Sequence, residues 1–240
     1  MRCRPNKAHG PARAEPQFGS GRLLMPAAFT FSSGLAEIGK LNDEQLAATA
    51  RLLCLLGNGE DAAALSFTAL AREARSDHAP AALATIAHEE EIHGAWVEAA
   101  ARLLPKPVDA RPVIQASRRL HFAIGQGSVG ERLAGVTALD SAACILFSRL
   151  LRHGAPLAKT GKIAKVLLRI HRDEAQHVAI ASSLAVLEGA SPRLINRAAD
   201  IRAQFAGVLE LVADDFEALE VDPGALLTAI RDFRTGLFAS

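Results

Sequence analysis

From Leu41 onward, apolar residues recur at alternating steps of three and four, the spacing that gathers them on one face of an α-helix. Little in the chain resembles the strict alternation of a strand. The pattern predicts an all-α fold. Asn42 or Asp43 caps a first helix that runs to about Arg75, and the Ser and Pro of 76–80 break it. A second helix covers 81–104, ended by Pro105 and Pro107, a third covers 130–153 and a fourth 162–188, stopping at Gly189. Residues 105–127 form a long connection with room for a short helix around 114–122. Ser191-Pro192 opens a fifth helix reaching about Leu219, and Asp222-Pro223 opens a short sixth.

The core-facing seams of the first four helices are apolar except near their middles. Helix one offers Leu53, Leu56, Glu60, Ala63, Phe67 and Leu70; helix two offers Leu83, Ile86, Glu90, His93, Val97 and Ala100. Helix three offers Leu133, Val136, Asp140, Ala143, Phe147 and Leu150; helix four offers Ile163, Leu167, Ile170, Glu174, His177, Ala181 and Leu184. Each seam carries one central carboxylate. In helices two and four a histidine follows three residues later, on the same face.

An unpaired buried carboxylate costs several kcal/mol, and four facing one another also repel. Something cationic must offset them, and two metal ions do so directly. Carboxylates and neutral imidazoles suit iron, with manganese as the alternative, and the lack of cysteine at these positions argues against structural zinc.

Height along the helices picks the third-helix carboxylate. Asp140 precedes the end of helix three by about as many residues as Glu174 follows the start of helix four, so the two come level across the turn. Glu131, the rival acid, would sit roughly 13 Å away by helical rise.

Composition narrows the picture further. Half the chain is hydrophobic, rich in Ala and Leu, which favour helix. With 27 basic and 26 acidic residues the net charge is +1, which gives no basic face for nucleic acid. No uninterrupted apolar run reaches the roughly 18 residues of a membrane span. Cys3, Cys54 and Cys144 form no CxxC pair, so a reducing, cytoplasmic location fits, with Cys54 and Cys144 as buried thiols. Residues 1–34 are basic and rich in Pro and Gly, and read as a disordered or targeting extension before a domain over 35–240.

The set Glu60, Glu90-Glu91-Ile92-His93, Asp140 and Glu174-Ala175-Gln176-His177 resembles the ferritin-like di-iron carboxylate superfamily, over roughly residues 42–190. The resemblance implies a four-helix bundle with two additional C-terminal helices, and a ligand set of Glu60, Glu90, His93, Asp140, Glu174 and His177. Asp140 departs from the glutamate usual at its position. His171, three residues before Glu174, is similar to the third fourth-helix histidine of the p-aminobenzoate N-oxygenase group, displaced by one residue. It is either a seventh ligand or a histidine beside the site. His78, His88, His121 and His153 have no seam position and are expected in solvent.

The resemblance implies an oxidoreductase that uses O2 and an external electron donor on a small organic substrate, with amine N-oxygenation as the first expectation and a homodimer as the assembly. Aldehyde-deformylating oxygenase chemistry, ferritin-like iron storage and manganese catalase are the alternatives. The chain lacks Tyr, so it cannot carry a tyrosyl radical.

Overall fold

The computed structural model describes residues 40–189 and 191–233, which form eight α-helices and one 3₁₀ turn, with no strand among them. All lie in one unit, Phe31–Ser240. The expected extension over 1–34 lies outside the described residues.

Helix α1 spans Asp43–Glu73 and starts on a capping box: the Asn42 side chain accepts from the Gln45 backbone N–H, and the Gln45 side chain accepts from that of Asn42. Helix α2 spans Ala79–Ala101, with Pro80 in its first turn. The connection over 74–78 reaches at most about 18 Å, far short of the roughly 46 Å length of α1. The two helices must therefore run antiparallel, and they pack along one another. Helix α3 spans Arg111–Ile124, longer than expected, and buries Val113, Ser117, Leu120 and Ile124 against α1 and α6.

Helix α4 spans Val129–Leu150, again behind a capping box, in which Glu131 accepts from the Ser128 backbone N–H and hydroxyl. The rival acid of the third seam is thus occupied at the helix start. After a 3₁₀ turn at Leu157–Lys159, helix α5 spans Lys162–Leu187 and packs along α4. Gly161 precedes it at φ 57°, a left-handed backbone that a Cβ disfavours, and redirects the chain there. The two hairpins meet through α2 against α5 and α1 against α4.

The expected fifth helix is interrupted. Helix α6 spans Pro192–Glu210 and lies on α4, whereas α7 spans only Ala213–Ala218 and turns back onto α1. Buried Asp215 accepts the Arg51 Nε–H on both carboxylate oxygens at 2.9 Å and is also paired with Nη2, an ion pair that ties α7 to α1. Helix α8, Pro223–Arg231, is capped by the Asp222 side chain and packs on α6.

The seams are buried largely as their spacing requires, with Leu83, Ile86, Val97, Leu133, Phe147, Leu167 and Ile170 almost without exposure. Cys54 and Cys144 are half-buried, not fully enclosed. Helix α4 is long and apolar enough to cross a membrane by length and composition, a stretch that counting uninterrupted apolar runs overlooks. However, 72% of its apolar window is buried inside the protein, and Asp140 stands within it.

Candidate metal centre

Four carboxylates and two histidines come together where the two hairpins meet. Glu60, Glu90, His93 and Glu174 form one group, and Asp140, Glu174 and His177 form another. Within each group the potential ligand atoms lie within 4.8 Å of one another, and all six residues are buried. Glu174 belongs to both.

Distances divide the roles. Nδ1 of His93 lies 3.4 Å from Glu90 Oε2, 3.6 Å from Glu60 Oε2 and 3.6 Å from Glu174 Oε1. Nδ1 of His177 lies 3.0 Å from Glu90 Oε1 and 3.8 Å from Glu174 Oε1. Glu90 and Glu174 therefore face both histidines. Glu60 stands with His93 and Asp140 with His177, one further carboxylate on each side. Gly94 lets the backbones close here, since a Cβ on it would stand 3.3 Å from Asp61 Oδ1 and 3.7 Å from Glu60 Cβ.

The orphaned atoms point to a cation. Nδ1 of both histidines, both oxygens of Glu90 and Oδ2 of Asp140 are buried without a hydrogen-bond partner among the described residues. Such groups are costly unless something satisfies them. The outer ring nitrogens are, by contrast, satisfied. Nε2 of His93 lies 3.3 Å from Asp173 Oδ2, and Nε2 of His177 lies 2.9 Å from Glu89 Oε2. Arg169 in turn donates to Asp173 at 2.8 Å. A proton held on Nε2 leaves the Nδ1 lone pair aimed inward, the tautomer a metal needs.

Electrostatics of the chain alone describe the same conflict. Burial, then the neighbouring carboxylates, push Asp140 well above the usual carboxylate range; burial also dominates the rise at Glu60, although His93 opposes it. Burial opposes the charge on Glu90 too, yet His177 and His93 hold it below that range. Burial likewise disfavours charged His177, but Glu174, Glu89 and Glu90 outweigh it and raise the imidazole to about 12. Without a metal, protons supply the positive charge. The donor set of carboxylate oxygens and imidazole nitrogens, with orphaned atoms converging between them, fits metal ions in their place.

His171 is in neither group. It lies one turn earlier on α5, about 4.5 Å away by helical rise, half-buried with its ring centroid 6.1 Å from that of Phe147. Burial lowers its pKa. His78, His88 and His153 are exposed as expected, but His121 is not: it is partly buried and lines a cavity beside the carboxylates. That cavity, about 60 Å³, is walled by Glu60, Glu90, Asp140 and Glu174 on one side and by apolar side chains of α1, α4 and α6 elsewhere. Neither His93 nor His177 borders it, so it opens on the carboxylate side of the pair.

Asp173, Glu89 and His121 were not expected as site residues. The first two directly precede ligands, where a rotation of about 100° along the helix turns a side chain off the seam. A search for acids adjoining each ExxH pair would have found them. His121 would have been found from the seam Val113, Ser117, Leu120, Ile124, which marks α3 as core-facing.

No family model matches the chain, and no curated protein is significantly similar to it.

Proposed function

We propose that the protein is a ferritin-like di-iron oxidoreductase, an oxidase or oxygenase that uses O2 on a small organic substrate. The observation that carries the reading is the set of inward-facing orphaned atoms around Glu90 and Glu174, open on one side to an apolar cavity. Helices α1, α2, α4 and α5, one carboxylate from each, correspond to the four-helix bundle of that superfamily, and α6 to α8 to its additional C-terminal helices.

Two iron ions bound there would supply the electrons and the open coordination positions that O2 chemistry requires. Glu90 and Glu174, which face both histidines, would hold the ions together with Glu60, Asp140, His93 and His177. Asp173 and Glu89 keep His93 and His177 in the ligating tautomer. The apolar wall limits water beside the reacting groups.

Two observations favour a small aliphatic substrate over arylamine N-oxygenation. His171, the feature that pointed to the N-oxygenase group, lies outside both ligand groups. The cavity is also smaller than the roughly 150 Å³ that holds a benzene ring. Oxidation of a short aldehyde or alcohol, within the deformylase-like branch of the superfamily, therefore moves ahead. A cytoplasmic homodimer drawing electrons from a separate donor protein completes the proposal.

The test is oxygen uptake by anaerobically iron-loaded, reduced protein, with and without short aldehydes, alcohols and arylamines. The reading requires substrate-dependent O2 consumption with an oxidised organic product. Uptake that follows only added iron, in an assembly of cage size by chromatography, would replace it with iron storage.

A further inference from the structure

The cavity beside the carboxylates has a second polar edge, supplied by a helix that carries no ligand. Ser117 and His121 stand one turn apart on α3 and both line it. Ser66, Ser141, Ser148, Ser182 and Ser183 each donate their hydroxyl to a carbonyl of the preceding turn. Ser117, only 3% exposed, makes no such bond. Among the described residues neither Ser117 nor His121 has a side-chain hydrogen bond or ion pair, so both remain available to a ligand.

The rest of the wall fixes the character of that ligand. Leu55, Leu56, Leu139, Leu146, Phe147 and Phe205 make it apolar. No Lys or Arg lines it, so at the edge formed by Ser117 and His121 an anionic end group would have no side-chain cation to offset its burial. The carboxylates are engaged by the ions under the reading above, and cannot serve an ammonium group. Burial also keeps the imidazole of His121 neutral to about pH 4, so it offers one donor and one acceptor and no charge.

We infer that Ser117 and His121 are specificity-determining residues that hydrogen-bond the oxygen of a short, neutral aliphatic alcohol or aldehyde and hold its carbon chain along the apolar wall next to the carboxylate cluster. This rests on the two-metal reading, because the ions leave the four carboxylates unavailable to a cationic ligand. Binding a neutral oxygen to a buried hydroxyl and a neutral imidazole satisfies groups that are otherwise unpaired. A cationic analogue forces an uncompensated burial, because the ions already engage the carboxylates.

The test is calorimetric titration of the anaerobic, iron-loaded protein with propan-1-ol, using propylammonium as the charged control and metal content measured on each sample. Propan-1-ol should bind once per chain, and propylammonium at least tenfold more weakly. Ser117→Ala and His121→Phe should each weaken propan-1-ol binding by about two- to tenfold, the net worth of one hydrogen bond, with two ions per chain retained. Ser117→Thr and His121→Gln keep a hydrogen-bonding group, and should stay within about threefold of the parent. Binding indifferent to all four substitutions, equal binding of propylammonium, or no saturable binding by protein that holds two ions would overturn this inference alone. A chain that holds no iron would overturn the two-metal reading and this inference with it.

Discussion

Glu90 stands between the two histidines, its Oε1 3.0 Å from Nδ1 of His177 and its Oε2 3.4 Å from Nδ1 of His93. One carboxylate thus addresses two imidazoles on different helices, and neither of its oxygens has a hydrogen-bond partner among the described residues. The two-ion reading places a cation on each side of that arrangement.

Metal binding should stabilise the fold, because the ligands converge from four helices and no such site exists in the unfolded chain. At a free metal concentration of 100 Kd the gain is about 2.7 kcal/mol for each ion bound, so for a domain of this size each ion raises Tm by roughly 5–11 °C. Calorimetric melts with iron or manganese, then with excess chelator, should show the rise and its reversal. A melting temperature indifferent to both metals would count against the site.

Affinity should rise with pH. Burial opposes the charge on both imidazoles, but the carboxylates around them outweigh it, raising His177 to about 12 and raising His93 as well, which favours their protonated forms in the metal-free protein at neutral pH. A ligand must be neutral at Nδ1, so each ion displaces at least one proton, and rising pH removes its competitor. The apparent affinity per ion should gain at least about tenfold per pH unit between about pH 6 and 8. Base titration during anaerobic manganese addition should record at least two protons released per chain at two ions bound. A pH-independent affinity would mean that the imidazoles are not ligands.

The outer carboxylates should matter unequally. The Asp173 side chain is 10% exposed and also held by Arg169, whereas that of Glu89 is 38% exposed. Asp173→Asn should lower metal affinity about 10- to 100-fold by loosening the His93 ring. Glu89→Gln should fall at the low end of that range, since water can replace part of its hydrogen bond. Competitive chelator titrations read both, and equal, negligible effects would show that the ring orientations are fixed by packing alone.

The helices and the central polar positions were legible in the sequence for a simple physical reason. A buried seam admits so few charged residues that Glu60, Glu90, Asp140 and Glu174 stand out against Leu, Ile and Phe. What stayed hidden depends on relations between elements. Asp173 meets His93 across 80 residues of chain, and no period within α5 predicts which neighbour an off-seam acid faces. His121 took part because α3 lies against α1 and α6, a placement that the length of the 105–127 connection leaves open. Beyond the break between α6 and α7, Asp215 pairs with Arg51, again a partner far away in sequence. His171 shows the converse. Its i−3 spacing to Glu174 put it on the same face, and it stands one turn earlier, in neither ligand group, with its ring centroid 6.1 Å from that of Phe147.

Metal analysis of anaerobically iron-loaded protein, for the parent chain and for Glu90→Ala combined with Glu174→Ala, tests the central claim most directly. The parent should hold two iron ions per chain. The double substitution removes both carboxylates that face the two histidines, and should bring binding to background while the helical circular-dichroism signal remains. At most one ion in the parent, or two ions retained by the double variant, would contradict the dinuclear centre.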